Sequence, residues 1–156
     1  MGALAISHNW GDESRFLFTG SHDRTVKTWV LDGLPLACPM SPSGEGDFEP
    51  LRARSLLTQK AHDKDINSLD ISPNDKLLGT GSQDKTPKTF EIESNLGTSV
   101  KLIGTLNGHK SGVWNVKFSR ADRLVATSSD DKSIKLWNRE DFSCLKVGVH
   151  LAESVT

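Results

Sequence analysis

One eleven-residue pattern occurs three times in this chain. It reads Thr19-Gly-Ser-His-Asp-Arg-Thr-Val-Lys-Thr-Trp29, then Thr80-Gly-Ser-Gln-Asp-Lys-Thr-Pro-Lys-Thr-Phe90, then Thr127-Ser-Ser-Asp-Asp-Lys-Ser-Ile-Lys-Leu-Trp137. In each copy a hydroxyl-bearing residue precedes an Asp, and an aromatic side chain follows that Asp by six positions. A repeat of this kind is one supersecondary unit that buries its apolar face only against a neighbouring copy, so the fold is built by stacking. Upstream of the last two copies stand Ala61-His62 and Gly108-His109. Phe90 and Trp137 are 47 positions apart, but Trp29 and Phe90 are 61 apart, so an insertion separates the first two copies.

Composition marks the insertion. Pro35, Pro39, Pro42 and Pro50 fall within it, with Gly33, Gly44 and Gly46 among them. Proline removes a donor and glycine loosens the backbone, so residues 32–54 read as a long surface loop. Elsewhere the pattern is of short strands with turns between them, which reads as antiparallel β. In the third copy these are Val113–Phe118, Leu124–Thr127 and Ile134–Trp137. In the second they are Ile66–Ile71, Leu77–Ser82, Lys88–Ile92 and Val100–Thr105. The first gives Leu4–Ser7, Phe16–Gly20 and Val26–Leu31, with a fourth strand expected beyond the insertion near Ser55–Thr58. No stretch has a helical period of useful length.

Four strands per unit, a Gly-His near the start and an aromatic near the end resemble a WD40 repeat. The resemblance implies an all-β fold of about three four-stranded antiparallel blades of a propeller. The units are 1–31 (a partial first repeat), the insertion 32–54, a second repeat 55–105, a third 106–147 and a divergent tail 148–156. It also implies a buried network in each blade that joins the His, a hydroxyl, the Asp and the aromatic. The members are Ser21, Asp23 and Trp29, then His62, Ser82, Asp84 and Phe90, then His109, Ser129, Asp131 and Trp137. Whether Thr127 or Ser129 supplies the hydroxyl is open. Family contact positions carried over by alignment are His22, Gln83 and Asp130, just before each Asp, and Asn67 and Trp114 early in the first strands.

Ser, His and Asp together also suggest a nucleophile, base and orienter. Repetition argues against that reading, because a triad occurs once per site. An enzyme would lose activity but not stability on Ser82→Ala or Ser129→Ala, whereas a structural network would lose stability. Gly104-Thr-Leu-Asn-Gly108-His-Lys110-Ser111 fails as a phosphate loop: it has three residues between glycines, not four, and His109 replaces the second glycine. No paired-Cys or His-x-x-x-His spacing offers a zinc site. Cys38 and Cys144 are expected to be free thiols. His8, His22 and His150 stand alone and are expected on the surface or in loops. No cofactor is expected, and the chain is expected not to be an enzyme.

Two departures stand out. Pro87 falls within an expected third strand, where it removes a ladder hydrogen bond. Phe90 lacks the indole donor, so the second network is expected to be incomplete and that blade weaker. About three blades fall short of a closed ring of 4–8, so the remaining blades are expected from missing chain, a second copy or a partner.

The charge balance constrains partners. Nineteen basic residues stand against twenty acidic, a net charge of −1, which gives no whole-chain attraction to nucleic acid or an anionic membrane. Lys132, Lys135 and Arg139 cluster locally, as a solvated strand edge would also do. No apolar run approaches the roughly 20 residues of a membrane span, and Met1–Trp10 lacks the basic region of a secretory signal. His62-Asp-Lys-Asp-Ile-Asn-Ser68, Ser72-Pro-Asn-Asp-Lys-Leu-Leu78 and Asp141-Phe-Ser-Cys-Leu-Lys146 are similar to segments of the transducin beta-like protein 3 family. That resemblance implies a nucleolar scaffold of the U3 small-subunit processome in pre-ribosomal RNA maturation. Its partners would be other proteins of the ribonucleoprotein particle, with indirect RNA association and no membrane. The alternative is a general WD40 adaptor in signalling or ubiquitin-ligase substrate recognition.

Overall fold

The computed structural model describes residues 2–7, 15–32, 52–93, 99–121 and 123–149. They form twelve strands: β1 Ala3–Ile6, β2 Arg15–Gly20, β3 Thr25–Asp32, β4 Arg52–Lys60, β5 Ile66–Ile71, β6 Leu77–Ser82, β7 Lys88–Glu93, β8 Ser99–Thr105, β9 Val113–Phe118, β10 Leu124–Ser129, β11 Ser133–Asn138 and β12 Cys144–Val149. Consecutive strands pair antiparallel into three four-stranded sheets, β1 to β4, β5 to β8 and β9 to β12. The sheets stack in chain order, with β1 packed on β5 and β5 on β9. This is the expected all-β arrangement of propeller blades.

The turn between the second and third strands has the same build in every sheet. Arg24, Lys85 and Lys132 follow the repeated Asp, adopt φ of 71°, 74° and 63°, and donate their amides to Ser21, Ser82 and Ser129 carbonyls. A left-handed residue at this place matches the turn to the twist of the flanking strands. The repeat therefore fixes its own hairpin.

Period-two alternation puts one face of each sheet against its neighbour. Phe18 and Val26 of the first sheet pack with Ile66, Leu69, Ile71, Leu78, Phe90 and Ile92 of the second. A second core joins Val113, Val116, Phe118, Val125 and Trp137, with Leu106 and the half-buried Leu77. Close approach needs small residues. A Cβ on Gly79 would lie 2.9 Å from Val116 and 3.0 Å from Phe118, and one on Gly104 would strike the Phe142 ring.

Several boundaries differ from the sequence reading. Pro87 lies before β7, which begins at Lys88, so it shortens the ladder rather than interrupting it. The pairing of β6 with β7 ends at Thr80 and Lys88, whereas β2 and β3 pair on to Gly20 and Val26. The Pro87 carbonyl still accepts from the Leu106 amide at 2.8 Å. Asp32 belongs to β3, and residues 52–54 belong to β4, so both ends of the 32–54 insertion are strand; residues 33–51 lie outside the described set. Ser55–Lys60 pair with β3 and so complete the first sheet, although the 55–105 unit begins there. Gly148 and Val149 of the 148–156 tail extend β12.

Candidate functional site

The third sheet holds the fullest network. His109 directs Nδ1 at Asp131 Oδ2, 2.9 Å away, and Nε2 at Thr127 Oγ1, 2.7 Å away. The Trp137 indole donates to the same Thr127 oxygen at 2.8 Å. These partners assign the protons. Asp131 only accepts, so Nδ1 carries the hydrogen, Nε2 accepts from the Thr127 hydroxyl, and that oxygen accepts from the indole. Asp131 also accepts from the Lys110 amide and from the Ser133 amide and hydroxyl. Burial alone would raise the Asp131 pKa, but the bonds from Ser133, Lys110 and His109 outweigh it and hold the carboxyl well below the usual range.

The second sheet repeats the set without the indole. His62 lies 2.8 Å from Asp84 and 2.7 Å from Thr80. Asp84 accepts from the Asp63 amide and from Thr86. Burial again works upward on its pKa, and hydrogen bonds from His62 and Thr86 overcome it, leaving it well below the ordinary value. Phe90 offers no donor, and the Thr80 hydroxyl stands 3.3 Å from the Lys88 carbonyl. The Lys88 ammonium donates to the Ala61 carbonyl at 2.8 Å. In the first sheet Trp29 donates to Thr19 at 3.0 Å. Asp23 accepts from the amide and hydroxyl of Thr25, which lower its pKa.

The hydroxyl of the network is thus Thr127, with Thr80 and Thr19 as its counterparts. This decides the choice left open between Thr127 and Ser129, and it puts Thr80 and Thr19 where Ser82 and Ser21 were expected. Register supplies the reason. Trp137 stands opposite Val125, so its indole reaches the diagonal neighbour Thr127. Ser129 is a further two residues along, about 7 Å at strand spacing. It donates instead to the Ser111 and Gly112 carbonyls and accepts from the Asp131 amide. Ser82 likewise bonds the Lys64 carbonyl and the Asp84 amide, and Ser21 accepts from the Asp23 amide at 3.4 Å. Among the described residues Nε2 of each histidine meets a threonine hydroxyl and no serine, and both rings are buried, so the set holds loops and sheet together.

Sequence reading missed the hydroxyl two places after each Asp, at Thr25, Thr86 and Ser133. The signal was present, since Asp-x-Thr or Asp-x-Ser recurs in all three copies and short hydroxyl side chains close such turns. It also missed the polar seam between the second and third sheets. Ser68 Oγ accepts from the Val116 amide at 3.1 Å and donates to Asn115. Asp70 accepts from the Phe118 amide at 2.8 Å, and Asn67 donates to the Val113 carbonyl at 2.8 Å. These side chains satisfy backbone groups along the inner edge of β9 that no strand pairs.

The aligned contact residues lie at the same end of the strands in all three sheets, where the second strand turns into the third and the first strand begins. His22 bonds Asp65 at 2.6 Å, Gln83 lies against Gly112, and Asn67 is committed to the seam. Trp114, left without a partner by the register shift between β9 and β10, is 51% exposed, and Asp130, just past β10, is exposed as well. Lys135 lies 5.9 Å from the Trp137 ring centre, a cation–π placement. Cys144 is an exposed free thiol, while Cys38, His8 and His150 lie outside the described residues.

Residues 3–29, 53–90 and 100–138 match the WD domain, G-beta repeat, and the chain belongs to the WD40 repeat family. Transducin beta-like protein 3 of Rattus norvegicus is 52% identical over 103 residues, 65% of this chain and 12% of the relative. U3 small nucleolar RNA-associated protein 13 of Saccharomyces cerevisiae is 40% identical over 101 residues, 65% of this chain and 11% of that protein. Protein HIR1 of Yarrowia lipolytica is 30% identical over 156 residues, 99% of this chain and 14% of the relative. The chain therefore spans only a small part of the length of these relatives.

Proposed function

We propose that this chain is a protein-binding WD40 scaffold in small ribosomal subunit assembly, located in the nucleolus and held in the U3 particle by protein neighbours. The observation that carries the reading is the similarity to transducin beta-like protein 3 and to a U3 small nucleolar RNA-associated protein. The buried, repeated networks support a non-catalytic role, since they shape the strand-to-strand turns rather than open a pocket to a substrate. The near-neutral charge supports indirect RNA association.

Trp114, Asp130 and His22 are exposed at the loop end, and of these Trp114 is the aromatic one. Exposed aromatic side chains are favoured anchors of binding. Affinity purification of the tagged chain from nuclear extract, with U3 RNA measured in the eluate, tests the reading. The expected result is U3 RNA enrichment, reduced at least tenfold by Trp114→Ala with no change in melting temperature. Equal recovery of U3 RNA with an unrelated WD40 chain would overturn it in favour of a general adaptor.

A further inference from the structure

A cavity of about 380 Å³ lies in the joint between the second and third sheets. One wall is Asp70, Ile71 and Pro73, from the end of β5 and the turn beyond it. The other is Lys117, Phe118 and Arg120, from the end of β9 and the turn beyond it. The cavity is therefore at the far end of these strands from Trp114, which stands where β9 begins. We propose that it is a docking site for an acidic segment of a partner protein, with an apolar side chain of that segment against Pro73 and Phe118 and a neighbouring carboxylate on Arg120.

Charge selects the occupant. Asp70 Oδ2 accepts from the Phe118 amide at 2.8 Å, and Oδ1 accepts from the Lys117 ammonium at 3.2 Å. Both carboxylate oxygens are thus committed, and the Asp70 and Lys117 charges balance. Arg120 is exposed and makes no hydrogen bond or ion pair among the described residues. One uncommitted guanidinium is left at the rim, and its planar fork matches a carboxylate with two parallel hydrogen bonds. An RNA backbone suits the same rim poorly, because it brings a charge with every nucleotide and would meet the Asp70 carboxylate beside a single free cation.

Shape agrees. Binding cavities enclose roughly 300–1,000 Å³, so this one has room for a large side chain. Ile71 and Phe118 are buried in its walls, whereas Pro73, Lys117 and Arg120 are exposed. The rim is open to solvent, and a side chain can enter while its own chain continues on either side.

The feature belongs to one joint and not to the repeat. Asp70 and Lys117 hold equivalent register positions, opposite Gly79 and Ala126, and Ser72-Pro73 corresponds to Ser119-Arg120. Where the third sheet offers two cations, the second offers a carboxylate and a proline. The joint between the first and second sheets therefore lacks the cation that would hold an acidic segment.

Fluorescence anisotropy of the 156-residue chain with the fluorescein-labelled, amidated peptide Gly-Ser-Glu-Phe-Asp-Gly-Ser tests the site. Saturable binding is expected below ~1 mM. Arg120→Glu is expected to weaken it at least ~10-fold, since a like charge then faces the carboxylates, and Arg120→Lys to retain most of it. Pro73→Glu, at the other exposed wall, is expected to weaken it as well, and circular dichroism melts establish that the variants fold. Trp114→Ala is expected to leave peptide binding unchanged, so the outcome stands apart from the U3 RNA measurement. Amide resonances of Ile71 and Phe118 are expected to shift on titration, and that of Asp130 to stay fixed. Absence of saturation at that concentration, equal affinity for the peptide with Gln and Asn in place of Glu and Asp, indifference to Arg120→Glu, or tighter binding of a short single-stranded RNA would each overturn the proposal.

Discussion

Thr127 carries more of the third sheet than its size suggests. One hydroxyl satisfies both the Trp137 indole and His109 Nε2, so Thr127→Val strands two buried groups at once. We expect a loss of about 3 kcal/mol in urea unfolding, against about 1 kcal/mol for Ser129→Ala, whose hydrogen bonds are only part-buried. The order would reverse if serine were the shared hydroxyl. Thr28 and Thr89, at equivalent positions, make the opposite case. Their hydroxyls are buried and bond no group among the described residues, and the third sheet has Leu136 at that place. Thr89→Val is therefore expected to stabilise by about 1 kcal/mol, read from the same unfolding curve. The acid response follows from Asp84 and Asp131. Both have lower pKa values folded than unfolded, so their contribution is complete above the unfolded value near 3.9 and disappears as pH falls below it. Stability should hold from pH 7 to about 5 and fall steeply below 4, and Asp131→Asn should flatten that fall. The members of the network were legible as types because the pattern recurs. The choice between Thr127 and Ser129 was not, since both project from the same face of one strand. Only the position of Trp137 opposite Val125 decides it.

At the scale of strands, the seam between β5 and β9 separates one interface from the other. Asp70 and Ser68 hold the Phe118 and Val116 amides. The corresponding positions of the first sheet are Ala5 and Ala3, which cannot accept a hydrogen bond through their side chains. Asp70→Ala is expected to speed hydrogen exchange at the Phe118 amide by about tenfold or more, with little change at Leu102 in the outer β8. Equal acceleration at both would mean that the change acts on the whole fold. Strand existence and order were readable from alternation and turn residues. Strand ends were not. Pro87 displaces the start of β7 because the ladder drops the position that has no donor and begins at the next residue. The seam itself was illegible. It depends on which residues of β5 face an unpaired edge, and an Asn-Ser-x-Asp series reads as an ordinary polar strand face.

At the scale of the molecule, three sheets stacked in chain order leave one uncovered face at each end. The sequence allowed the sheet count and the missing closure to be foreseen, because repeats can be counted.

The boundaries of the matched segments and of the sheets are out of phase. Residues 53–90 begin on β4 of the first sheet and end on β7 of the second, and residues 100–138 begin on β8 and end on β11. The segment that can be copied in a gene is therefore not the segment that folds. A tandem duplication of 53–90 with its following linker would start with an outer strand to finish the sheet before it and leave its own last sheet to be finished by the next copy. Every internal join then yields whole sheets, and any defect is confined to the two ends of the array. Lengthening such a chain by duplication disturbs no existing core, whereas excising a single repeat as a peptide would isolate an outer strand from its own sheet.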